Sequence, residues 1–131
     1  MEAIDLPLAD ANLIGRDEDK PMDFHEKTCI PCLGGIPALS AAEVAKLSPV
    51  VPAWRIGGDA TRLVREFKFK NYAEALAFVN AISAVAEKEG HHPDICLGWG
   101  YATVTLYTHK IQGLHENDFI MAAKFDKISA Q

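Results

Sequence analysis

Polar and apolar positions fall into seven periodic runs from Ser40 onward. In "LSAAEVAKLSP", Ser40 and Glu43 have capping-box spacing and Pro49 closes a short helix. "VPAWRIGGDATRLVREFKFK" holds two strand-like runs around the turn residues Gly57, Gly58 and Asp59, which predicts a hairpin. On its second strand Leu63, Arg65, Phe67 and Phe69 share one face, and Arg62, Val64, Glu66 and Lys68 the other. The clearest helix follows. Asn71 and Glu74 resemble a second capping box, and Tyr72, Leu76, Val79, Ile82 and Ala86 recur at steps of three and four as one apolar stripe. Gly90 sits where a left-handed cap belongs, and Pro93 prevents continuation. "DICLGWGYATVTLYTHK" predicts strands near 94–99 and 101–110, with Ala102, Val104 and Leu106 on one face of the second. Gly113 breaks the chain, and "HENDFIMAAKFDKI" predicts a last helix with Phe119, Ala122 or Ala123, and Phe125 or Asp126 near its stripe. The order α-β-β-α-β-β-α predicts an α+β fold, a four-stranded antiparallel sheet with three helices packed on one face.

This pattern covers residues 40–131, read as one folded domain. Residues 1–39 read as an N-terminal arm, acidic to about residue 24 and then a Cys/Gly/Pro loop. A chain of 131 residues, 49% hydrophobic and 24% charged, is of ordinary globular composition. A net charge of -5 without a basic block argues against nucleic-acid and membrane-surface partners. No apolar run is of membrane-spanning length, and the first residues lack a basic segment followed by an apolar one, so a cytoplasmic protein is expected. Three cysteines make no disulfide framework, which fits a reducing compartment. Cys29 and Cys32 in "CIPC", with His25 upstream, lack a second pair and hold a metal only with help from elsewhere; two loop thiols is the simpler reading.

The candidate chemistry lies in "EKEGHHPDICLGWG". His91 and His92 leave the end of the long helix, and His109 ends a strand less than twenty residues later. An antiparallel return brings the three around one pocket. A helix-end histidine gains ~0.3–1 kcal/mol from the dipole when charged, which explains one of them and not three. Three histidines satisfy a catalytic zinc, yet adjacent histidines are poorly spaced to converge on one ion. Acid–base work is the third reading, and the residue types alone leave all three open.

The spacing then becomes recognisable. Glu87, three spacers, His91-His92-Pro93, five spacers, Trp99, nine spacers, His109, then Asp118: this set resembles the motif of the pterin-4a-carbinolamine dehydratase family. The likeness runs from about Trp54 to Ile128, and "CIPCLGG" is similar to the leader of many bacterial-type members. The resemblance implies dehydration of a 4a-hydroxytetrahydropterin to the quinonoid dihydropterin, with no redox cofactor and no catalytic metal. It implies proton transfer by His91 and His109, with His92 assisting at the pterin ring. Glu87 and Asp118 would orient histidines or pterin, and Pro93 would shape the wall. Trp99 reads as core. A homodimer or homotetramer and a metabolic link to an aromatic amino-acid hydroxylase are implied as partners. Some members are dimerisation partners of transcription factors, so a non-catalytic binding or coactivator module is the alternative. Gly90, Ile95 and Asn117 stand where some members carry an acidic, an aromatic and a basic residue, and His115 stands at the cap of the last helix, where the family often has Ser or Thr. A histidine unable to accept the cap bond would cost about 1 kcal/mol.

Overall fold

The computed structural model describes residues 23–30 and 36–131. Most of the acidic stretch, and Cys32, lie outside these described residues. The elements are α1 (Ala41–Leu47), β1 (Arg55–Gly57), β2 (Arg62–Lys68), α2 (Tyr72–Glu89), β3 (Asp94–Gly98), β4 (Tyr101–Leu106) and α3 (Glu116–Ser129). Short 3-10 turns occur at Phe24–Glu26, Ser48–Val50 and His109–Ile111. This is the expected order and fold class. The strands form one antiparallel sheet in the order β1-β2-β4-β3. Leu63 lies opposite Leu106 and Phe67 opposite Ala102, so the apolar parities of both central strands reach the helices together. Leu63, Ala102, Val104 and Leu106 are inaccessible there, packed with Ile82, Phe119 and Phe125. At about 25 cal/mol per Å² of apolar surface, this burial is the main force holding the helices on the sheet.

Arg65 falls on the same inner face. Its guanidinium bonds Asp126 Oδ1 at 2.5 Å and lies over the Phe67 ring, and Trp54 Nε1 donates to the same Asp126 oxygen at 2.8 Å. A charge on an apolar face is tolerable only when paired in this way.

The helix starts follow the sequence closely. At α1, Ser40 Oγ accepts from Glu43 N and Glu43 Oε1 accepts from Ser40 N. At α2, Asn71 Oδ1 accepts from Glu74 N, but Glu74 reaches Lys70 N rather than the cap residue's own amide. The α2 stripe is rotated from the expected one. Ala75, Phe78, Ile82 and Ala86 are buried, whereas Tyr72 and Leu76 are 45% and 40% exposed. Alanines fall on two sides of this helix, at Ala73, Ala77, Ala81 and Ala84 and at Ala75 and Ala86, so two stripes fit its period. Phe78 decides between them by contacting the Phe67 ring at 4.5 Å and the Phe69 ring at 5.2 Å. Strand β4 stops at Leu106, its last pairing with β2, and does not extend to residue 110. Beyond it, Thr108 and Gly113 bridge a short loop that contains the His109–Ile111 turn. Among the described residues no helix is long and apolar enough to cross a membrane.

Candidate active site

The last turn of α2 sets the direction of the paired histidines. Gly90 takes φ 69° and ψ 26°, a left-handed conformation open to glycine at little cost, and His91 N returns to Ala86 O at 3.1 Å. This reversal sends His91 inward, where it is 9% exposed, and leaves His92 in solvent. His91 Nε2 lies 2.6 Å from Asp118 Oδ1. Asp118, in the first turn of α3, is inaccessible to water. Its Oδ2 accepts from Thr108 Oγ1 at 2.8 Å and from His115 N at 3.0 Å. With those two donors on Oδ2, an ionised Asp118 accepts at Oδ1 a hydrogen bond from His91 Nε2–H. In that arrangement Nδ1 is the His91 ring nitrogen left without a bond to Asp118. His92 Nε2 meets Glu87 Oε1 at 2.8 Å, one helical turn back, but both side chains are largely exposed. Such a pair orients more than it stabilises.

His109 does not end a strand. It opens the 3-10 turn after β4, exposed, its ring 4.3 Å from that of Tyr107, whose other neighbour is the Arg62 guanidinium at 3.5 Å from the ring centre. Thr108, between Tyr107 and His109, points the opposite way, into the interior, and donates to Asp118. One buried carboxylate therefore holds the His91 ring and anchors the backbone that carries His109. Sequence reasoning missed Thr108. Its signal was parity, since residues 102, 104, 106 and 108 share the dry face, and a hydroxyl there needs a buried partner.

The remaining expected residues are placed as follows. Pro93 is half-buried beside the histidine pair. Trp99 is not core but 71% exposed. Gly98 pairs with Tyr101, so Trp99 and Gly100 form a two-residue hairpin loop with positive φ at Gly100, and the indole leaves the sheet at its tip. His115 does serve as a cap. Its Nδ1 accepts from Asn117 N at 3.0 Å while Asp118 reaches back to His115 N, so the expected loss does not arise. The ring nitrogens of the three central histidines do not converge as a ligand set. Among the described residues the grouping able to hold a cation is Asp23, His25 and Glu26. Cys29 turns away from it and points its thiol at Asn117 O, 3.8 Å away. Burial, helped by the nearby Glu89 charge, pushes that thiol up to about 12, so it stays protonated.

Residues 37–128 match the sequence profile described as pterin 4 alpha carbinolamine dehydratase. The chain belongs to this family. Two relatives, both provisionally named pterin-4-alpha-carbinolamine dehydratase, agree. That of Halorhodospira halophila is 50% identical over 109 residues, 83% of this chain and 100% of the relative. That of Methylococcus capsulatus is 55% identical over 105 residues, 80% and 92% of the two chains. A solved transcriptional coactivator/pterin dehydratase from Brucella melitensis superposes with a TM-score of 0.66 at 30% identity, over 70% of this chain and 98% of that one. A pterin dehydratase-like protein described as a RuBisCO assembly factor in the alpha-carboxysome gives 0.53 at 31% identity, over 60% and 92%. Membership in the dehydratase family supports a pterin carbinolamine dehydratase-like function of the lyase class. The family match takes in every residue from Glu87 to Asp118 and leaves the Asp23–Ile30 segment outside it.

Proposed function

We propose that this protein dehydrates a 4a-hydroxytetrahydropterin to the quinonoid dihydropterin by histidine acid–base catalysis. The observation that carries the reading is the buried His91 ring, its Nε2 2.6 Å from Asp118 Oδ1. The substrate is a carbinolamine, with the hydroxyl and a ring nitrogen bonded to the same carbon. Hydroxide leaves poorly, so an acid must protonate the hydroxyl as the nitrogen lone pair expels it as water. A base must then take a proton from the resulting cation. No electrons move between molecules, so the reaction needs no redox cofactor. His91, through Nδ1, and His109 are the proposed proton-transfer pair, a role that contributes ~10²–10⁴-fold when well positioned. His92, held by Glu87, is proposed at the pterin ring, with Pro93 shaping the wall beside it. Asp118 is proposed to act through His91.

The natural source of the substrate in this proposal is an aromatic amino-acid hydroxylase. Self-association is part of it as well, because β1 and β3 each keep one sheet edge unpaired within the described residues. A second reading, a non-catalytic interaction module, is favoured by the exposed Trp99 at the β3–β4 tip and by the coactivator and assembly-factor descriptions of solved relatives. Single-turnover kinetics and pterin binding, measured on one preparation, separate the two. Accelerated dehydration supports the enzyme, and binding without acceleration supports the module.

A further inference from the structure

The segment Asp23–Ile30 precedes the residues matched by the family profile, and it is tied to both helix ends that build the site. Cys29 N donates to Glu89 Oε1 at 2.9 Å. Glu89 is the last residue of α2, its side chain only 9% exposed, and stands two positions before His91. Ile30 N donates to Asn117 Oδ1 at 3.1 Å, and Asn117 Nδ2 donates to Ile30 O at 2.6 Å. The Asn117 amide thus pairs with both backbone groups of one residue, as a neighbouring strand would. Asn117 is 2% exposed and immediately precedes Asp118. Two lysines tighten the attachment. Lys27 Nζ meets Glu116 Oε2 at 2.8 Å, and Lys124 Nζ donates to His25 O at 3.0 Å while lying 3.8 Å from Glu89 Oε2.

We propose that residues 23–30 form a strap that positions His91 by holding the end of α2 and the start of α3 in register. Glu89 and Asn117 are positioning residues in this account, acting through the His91–Asp118 pair without touching substrate. Three features support it. The His91–Asp118 bond joins the end of α2 to the start of α3. The strap grips each element one or two residues from the reacting pair. Its grips are buried or half-buried, where hydrogen bonds are costly to lose. Asn117 suits this grip, because a neutral amide offers both a donor and an acceptor to one peptide.

The proposal rests on the dehydratase reading for its kinetic readout alone. The test uses the full chain and three variants, Glu89→Ala, Glu89→Gln and Asn117→Ala, each followed by turnover and by NMR of the His91 Nε2–H signal. Glu89→Gln keeps an oxygen for Cys29 N and removes the charge near Lys124. Loss of register is expected to lower kcat by about 10-fold with KM held within about 2-fold. The His91 signal should broaden through exchange with water in Glu89→Ala and Asn117→Ala and stay sharp in Glu89→Gln. Unchanged kcat and an unchanged signal in folded Glu89→Ala would overturn the strap, as would a Glu89→Gln variant as impaired as Glu89→Ala. If Asn117→Ala does not fold, the Glu89 pair decides. If the wild type does not dehydrate the carbinolamine, the enzymatic reading fails and the NMR signal still tests the strap.

Discussion

Replacing Asp118 by Asn changes one atom and reverses the logic of the site. The carboxylate accepts three hydrogen bonds, from His91, Thr108 and His115 N. An Asn carbonyl can keep the two on Oδ2, preserving the helix cap and the Thr108 anchor. Its NH2 then faces His91 Nε2–H, donor against donor. His91 must give up that proton and carry it on Nδ1, the atom assigned to the reaction. The structural loss is one charge-assisted bond in a water-free place, ~1.5–3 kcal/mol, which for about a hundred folded residues lowers Tm by roughly 6–15 °C. The chemical loss is larger, because the wrong tautomer disables proton transfer, and kcat should fall by ~10²–10⁴-fold with KM little changed. Thermal melting and steady-state kinetics on one preparation separate the two effects. A variant that melts lower but keeps kcat within about 2-fold of wild type would refute the tautomer argument.

Gly90→Ala meets no atom within 4 Å but must adopt φ 69°, so the cost is backbone strain of ~1–2 kcal/mol, read by urea denaturation; no loss would mean the turn relaxes freely. Asp126→Ala strands the Trp54 indole and the Arg65 guanidinium, and should cost ~2–4 kcal/mol in the same assay, whereas less than ~1 kcal/mol would make the cluster equivalent to a surface pair. Cys29 holds its proton more tightly folded, at about 12 against an ordinary 9.0. Its contribution to stability is therefore whole below pH 9 and declines as pH rises toward 12, so Cys29→Ala should flatten the alkaline limb of a melting-temperature profile. Peptide mapping after brief alkylation at neutral pH should find exposed Cys96 modified and Cys29 spared; equal modification would contradict the burial argument.

Fold class was legible because the type of each element, helix or strand, had one solution even where its buried face had two. The β4 alternation admits only Ala102, Val104 and Leu106 inside, and Gly90 could be little other than a left-handed cap. Legibility failed where local pattern allowed two answers. An alanine-rich α2 carries two possible stripes, and only the Phe67–Phe78 contact across the sheet chooses between them. Trp99 read as core because a large aromatic near a strand usually is, but a two-residue loop needs Gly100 and expels its neighbour. At the site, His91, His92, His109, Glu87 and Asp118 were all visible as residues. Their partnerships were not. That Asp118 serves His91 while Glu87 serves His92, and that Thr108 links His109 to the same carboxylate, depends on where α3 docks against the end of α2, which no local spacing encodes.

The central claim is that the buried His91 and the exposed His109 move protons on a pterin carbinolamine. Stopped-flow absorbance of freshly generated 4a-hydroxytetrahydropterin tests it most directly, with wild type, His91→Ala and His109→Ala compared in chelator and pterin affinity measured alongside. The account predicts faster water loss with wild type, a rate returned most of the way to the uncatalysed one in either variant, and pterin binding largely kept. Full acceleration by His91→Ala, or wild type that binds pterin without acceleration, would contradict it.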